Sequence, residues 1–384
     1  MARFAFVTWD GGGNLPPAIG IAQALRARGH QISFLGYQSQ RRRIEGQSFE
    51  LRALPRSGAF EVQRLPPAER LAGLLRHVWA CPEHLEDIPA AVTRERADLV
   101  VVDFLMQGAL AAAARLPIPV AALVHSALAG LVPPPESPVG ATRLAAANQL
   151  REPAGLPPLR RLNDGWDPFL TLVTTIAELD PAAAGAGPSV RYVGPIVEEF
   201  PEQRWDPPWD PADRRPLVLV SFSTTGFWDQ RGRIRNTLAA LAEEPVRVLV
   251  SAPEVDGLGP VPANATVVAF VPHARVLPLA AVAVTHCGHG TVTACLAHGV
   301  PLVGLPNKAA DQPFLAQRVE HLGAGRALDG EAGPTEIRAA VREILAGPSF
   351  ATAAQALRAA IAAAPGPSGA SAALERAALL VGRT

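Results

Sequence analysis

Thr285-His286-Cys287-Gly288-His289-Gly290-Thr291 is followed by His298-Gly299-Val300-Pro301, Leu305-Pro306, Asp311-Gln312 and Gly323-Ala324-Gly325. The apolar run 282–285 reads as a strand ending at Thr285, and 291–297 opens a helix. Between them, Gly288 and Gly290 let a ligand approach the backbone closely, because neither carries a Cβ. A helix start presents free amides and the positive end of the helix dipole; with the Thr291 hydroxyl these suit a phosphate. His286 can add a donor to the same anion. Beyond the next strand, 301–305, Asp311 can accept hydrogen bonds from sugar hydroxyls and Gln312 can add amide contacts.

Working outward, the same alternation of strand and helix fills the second half of the chain. Strands are expected at 217–222, 246–251 and 265–270, and a helix at 234–243. The first half repeats the plan. Strand 3–8 runs into Asp10-Gly11-Gly12-Gly13-Asn14, then helix 19–28, with Gly29 as its C-cap, then strand 31–36. Segment 98–103 is a strand, 107–116 a helix and 119–125 another strand. Uninterrupted apolar runs bounded by turn residues are what parallel strands covered on both faces look like. The expected division is a first α/β domain over 1–194, a linker over 195–216 without clear period, a second α/β domain over 217–364, and a terminal segment over 365–384. Segment 130–168 is proline-rich and irregular, with a helical stretch near 141–150; long loops at strand ends are where ligands are held.

Composition narrows the possible roles. A chain of 384 residues exceeds one ordinary core, so two domains are expected. With 48% hydrophobic and 18% charged residues it is globular. A formal net charge of zero argues against a nucleic-acid binder. No apolar run reaches the ~20 residues of a membrane span. The start reads directly as a strand and lacks a signal peptide's apolar region, which gives a cytoplasmic expectation. Cys81, Cys287 and Cys295 are odd in number and scattered, which argues against a disulfide framework. His286, Cys287, His289, Cys295 and His298 have poor spacing for zinc, so no metal is expected.

The 285–325 signature resembles the donor-binding signature of family 1 glycosyltransferases, which glycosylate small molecules. The resemblance extends to the opening strand–loop–helix with Gly29-His30, Asp103, Val193-Gly194-Pro195, Ser221-Phe222-Ser223-Thr224 and Val271-Pro272-His273. It implies the GT-B fold: two facing Rossmann-like domains with parallel sheets, and a last helix crossing back to the first domain. It implies an inverting, metal-independent transfer from a nucleotide sugar held by the second domain to an acceptor held by the first. By the same resemblance, Ser223, Thr224, His286, Gly288, Gly290 and Thr291 contact the donor diphosphate. Val271 and His273 lie on the nucleoside side, and Asp311 and Gln312 contact the sugar. Trp79, Phe104 and Trp166 could line an acceptor pocket or belong to the core.

Two positions depart from the family pattern. Ala294 stands where a glutamate usually binds the ribose hydroxyls, which points to a dTDP-sugar over a UDP-sugar. Asn14 stands where the general-base histidine falls, and an amide cannot take a proton at neutral pH. Asp10 and His125 are then equal candidates for the base, at strand ends where such sheets hold ligands, with Asp103 as the orienting carboxylate. The leading reading is an O-glycosyltransferase for a small, largely apolar natural product, acting as monomer or homodimer. The rivals are a C-glycosyltransferase, a sugar-nucleotide epimerase, and a non-catalytic partner of another transferase.

Overall fold

The structure is a computed structural model that describes residues 1–197, 205–222, 229–252, 257–308 and 310–379. It divides into two compact units. One comprises Met1–Glu199 with Ala364–Thr384, the other Phe200–Ala363. The division near 199 falls inside the segment 195–216.

The first unit carries seven strands: β1 Arg3–Val7, β2 Gln31–Gly36, β3 Glu50–Ala53, β4 Leu99–Asp103, β5 Val120–Val124, β6 Leu170–Val173 and β7 Val190–Tyr192. They form one sheet in the order β3-β2-β1-β4-β5-β6-β7, all neighbours parallel. The order reverses at β1/β4, the kind of position where doubly wound sheets open a ligand crevice at their C-terminal edge. β4 and β5 are buried at every residue, as their unbroken Leu-Val-Val-Val-Asp and Val-Ala-Ala-Leu-Val runs require. Helix Leu15–Ala27 starts earlier than the 19–28 expected, because Pro16 and Pro17 fit a helix's first turn, where no amide partner is needed. The helical stretch in the proline-rich segment spans Pro138–Arg151, capped by Ser137 Oγ accepting from the Gly140 amide at 3.1 Å.

The terminal helix Gly366–Leu379 packs within this first unit, burying Ala370, Ala373 and Leu374 in the cluster around Phe4, Ile21 and Leu25. Its Glu375 accepts two bonds from Arg28, at 2.7 and 2.6 Å, and lies 2.8 Å from His30 Nε2. Those partners, Arg28 first, hold the Glu375 carboxyl down at about 2. The chain's return is pinned at Val193-Gly194. The Gly366 amide donates to Val193 O at 2.7 Å. Gly194 has φ +81°, and a Cβ there would meet Ala364 Cβ at 2.4 Å, so only glycine fits.

The second unit carries six strands: β8 Leu217–Ser221, β9 Arg247–Ser251, β10 Ala265–Val268, β11 Ala280–Thr285, β12 Leu302–Gly304 and β13 Gly325–Ala327. Their order is β10-β9-β8-β11-β12-β13, again parallel throughout. Helices Arg231–Leu241 and Pro334–Ala346 supply Ile234, Leu238, Ile337 and Val341 to its core.

Candidate active site

In the second unit, β11 ends at Thr285 and helix His289–Ala297 begins two residues earlier than the sequence suggested, with Gly288 as its N-cap. Between them Cys287 is fully buried with φ +59°, a conformation non-glycine residues rarely hold and that functional turns often store. The two glycines do different work. A Cβ on Gly288 would meet His286 Nε2 at 2.6 Å, so this glycine makes room for the imidazole. Among the described residues, a Cβ on Gly290 would meet nothing within 4 Å. His286 is buried, and that burial, with Arg233 nearby, pushes its imidazole down to about 4. At neutral pH it is therefore an uncharged donor and acceptor. Thr291 is half-buried at the same helix start.

Asp311 and Gln312 follow β12 and are both buried, Asp311 as the N-cap of helix Gln312–His321. Gln312 Oε1 accepts from the Asn307 amide at 3.0 Å and from Asn307 Nδ2 at 2.8 Å, which fixes its head group. His273 opens the short helix His273–Val276, and its Nε2 lies 3.0 Å from Ser221 Oγ at the end of β8. Burial first, and His298 second, lower the His273 pKa. Val271 is 2% exposed and so offers a ligand little beyond its backbone, while its neighbour Phe270 is 62% exposed. Ser223 and Thr224 lie outside the described residues.

In the first unit, a hydrogen-bonded set joins the segment after β1 to the end of β4, and His125 at the end of β5 stands beside it. Asn14 Nδ2 donates to Trp9 O at 2.9 Å and to Asp103 Oδ2 at 3.0 Å, while its Oδ1 accepts from the Gly11 amide at 2.8 Å. Asp103 Oδ1 accepts from the Leu105 amide at 3.0 Å. His125 Nδ1 stands 3.2 Å from Asp103 Oδ2. That distance suits a hydrogen bond, yet the alignment does not meet one. The pair is a close electrostatic contact. Asp103 is 2% exposed and His125 is half-buried. Asp10 instead accepts from the Gly12 amide at 3.2 Å and so braces its own turn.

The aromatic candidates separate. Phe104 and Trp166 are 0% and 1% exposed, pack edge-to-face at 5.5 Å, and back the His125 ring, to which Phe104 stands at 5.3 Å. Full burial puts both in the wall behind the site and leaves neither a free face. Trp79 is half-buried and meets Trp9 edge-on at 5.9 Å. Sequence reasoning missed two cations. Arg233, buried and bonded to Glu331 at 2.9 Å, acts electrostatically on His286. Arg143 lies over the Trp79 ring, 5.4 Å from its centroid. Neither belongs to a motif, and arginines of helices facing inward have no local signature.

Residues 234–376 match a family described as erythromycin biosynthesis protein CIII-like, C-terminal domain. The chain is 30% identical over 406 residues to the 4'-demethylrebeccamycin synthase of Lentzea aerocolonigenes, covering 93% of this chain and 95% of the relative. It is 37% identical over 188 residues to the TDP-daunosamine transferase DnrS of Streptomyces peucetius, 46% of this chain and 42% of the relative. Among solved structures, the glycotransferase of kitacinnamycin superposes with a TM-score of 0.81 at 26% identity, covering 98% of both chains.

Proposed function

The chain belongs to the GT-B glycosyltransferases of natural-product pathways, and from that membership we propose that it transfers a sugar, with inversion, from a dTDP-sugar to a hydroxyl of a small, largely apolar acceptor. The observation that carries this reading is the β11–helix junction, where an uncharged His286 and open space over Gly290 meet a helix N-terminus. Such a junction suits the departing diphosphate, whose charge grows as the bond to the sugar breaks. Among the described residues, nothing lies within 4 Å of where a Cβ on Gly290 would stand, and no acidic side chain stands in the helix's first turn to repel an anion.

His125 is the general base in this proposal. The carboxylate 3.2 Å from Nδ1 favours the tautomer with its proton there, which leaves Nε2 as the free lone pair. It takes the acceptor's hydroxyl proton as that oxygen attacks the anomeric carbon, and the carbon–oxygen bond to the diphosphate breaks on the opposite face. The nucleoside diphosphate leaves with the electron pair, and one displacement inverts the centre. Asn14 does not titrate; its bond to Trp9 O fixes the amide, and its bond to Asp103 Oδ2 holds the carboxylate beside His125. Asp10 is less suited as base, because its carboxylate already holds the glycine turn. Asp311 and Gln312 serve the sugar hydroxyls, Phe270 and His273 the nucleoside end. Ala294 offers no carboxylate to a ribose 2'-hydroxyl, which favours a deoxyribose, and a relative named for a TDP-sugar agrees.

Calorimetry of dTDP and UDP on the wild type and on His286→Ala tests the donor half. dTDP is expected to bind more tightly than UDP, and the His286→Ala variant to lose most of that affinity. Binding of neither nucleotide would sink the proposal.

A further inference from the structure

We propose that Arg143, Trp79 and Trp9 form an anchoring site for a carboxylate on the acceptor, an inference that rests on the transferase reading above. Arg143 projects from helix Pro138–Arg151. Its Nη1 donates to Leu131 O at 2.9 Å, which fixes the head group against the segment after β5. Among the described residues no carboxylate pairs with it. Burial pushes the guanidinium down to about 10, with no acidic group acting to raise it. A sequestered guanidinium keeps its charge and its remaining donors, and these call for an anionic partner.

The neighbours are donors too. Trp79 lies under the guanidinium and Trp9 meets Trp79 edge-on. The Nε1–H groups of both indoles are buried without an acceptor, and Trp9 is 6% exposed. Three donor-only groups thus gather beside the turn after β1 that carries Asp10 and Asn14: Leu131 O takes one of Arg143's bonds, and the two indole N–H groups have no acceptor. Buried donors left this way are uncommon in folded proteins and mark a place a ligand completes. A planar carboxylate matches the guanidinium fork, and the indole faces suit an aromatic body behind it. A methyl in the same place would leave the indole donors unmet, and a neutral ether oxygen would offer the guanidinium no charge. The group therefore selects among acceptors: it rewards an acid over its uncharged isostere.

The test compares 6-hydroxy-2-naphthoate with 6-hydroxy-2-naphthamide, which share ring and hydroxyl and differ in charge. Calorimetry up to millimolar probe is run on the wild type, Arg143→Gln and Arg143→Lys, with dTDP binding measured on the same preparations. The acid is expected to bind the wild type at least ~10-fold more tightly than the amide. Arg143→Gln should erase that preference and Arg143→Lys should restore part of it. Equal binding of acid and amide by the wild type, or binding of neither, overturns the inference. So does a preference that survives Arg143→Gln. Because dTDP binding reports the donor site separately, a failed acid preference with intact nucleotide binding leaves the transferase reading standing.

Discussion

Gly288 and Gly290 look interchangeable on paper, yet only one is crowded by the protein. A methyl on Gly288 would collide with His286 Nε2, whereas a methyl on Gly290 would enter open space. Gly288→Ala is therefore expected to displace the imidazole and lower nucleotide affinity about as much as His286→Ala, on the order of 10-fold, with the fold intact by circular dichroism. Unchanged dTDP affinity in Gly288→Ala would remove His286 from the diphosphate site. At the other end of the reaction, Asp103→Asn keeps the shape but not the charge facing His125. Turnover should fall roughly 100-fold or more with KM for the donor little changed, since general-base assistance is worth about that much. If Asp10→Asn lowered turnover and Asp103→Asn did not, Asp10 would be the base. Legibility at this scale was uneven. His286, Gly288 and Thr291 share one strand–helix junction, so their nearness was legible in the sequence, while Asp311 opens the helix after the next strand. His125 and Asp103 come from two strand ends and Asn14 from the helix start after β1, and their nearness is a product of the β5-β4-β1 order, which no local pattern encodes.

Among the elements, the parallel strands were the most legible, because a strand buried on both faces leaves an unbroken apolar run. Helix starts were less so: Leu15-Pro16-Pro17 reads as a loop until the first-turn tolerance for proline is considered. The terminal helix shows how an alanine-rich segment without a strong apolar stripe is still held. Its hold depends on Leu374, which is fully buried, and on the Glu375 contacts with Arg28 and His30. Leu374→Ala is expected to cost about 2–5 kcal/mol of the first unit's stability. Urea denaturation followed by tryptophan fluorescence checks this: Trp9, Trp79 and Trp166 lie in that unit and the other three tryptophans in the second, so only the first unit's share of the transition should shift. A loss under ~0.5 kcal/mol would mean the helix is not docked as described.

Across the whole molecule, two buried histidines set how the protein meets acid. His84, in the first unit, and His286, in the second, are both lowered from 6.5 to about 4, burial being the first cause for each. The folded state thus prefers the neutral rings, while the unfolded chain takes up protons near 6.5. Stability is present above that pH and is lost as pH falls from about 6.5 toward 4. From pH 7 to 5 each unit should lose about 2 kcal/mol through its own histidine. Thermal unfolding at the two pH values should show both units weakened, and His84→Gln should flatten the first unit's response alone. Equal unfolding temperatures at pH 7 and 5 would show that the rings are reached by water.

The return of the chain at Val193-Gly194 and Gly366 has a consequence for exchanging parts between relatives. The second unit is one uninterrupted stretch, Phe200–Ala363, while both flanking segments belong to the first. A chimera made with a single crossover would import a foreign terminal helix along with the foreign second unit, and would set it against a Leu25, Arg28 and His30 it did not evolve beside. Two crossovers, one near 199 and one near 364, would carry the second unit as a cassette and leave the first unit's own clasp in place. Recombination that respects both seams should yield soluble hybrids where the one-seam design yields poorly folded ones.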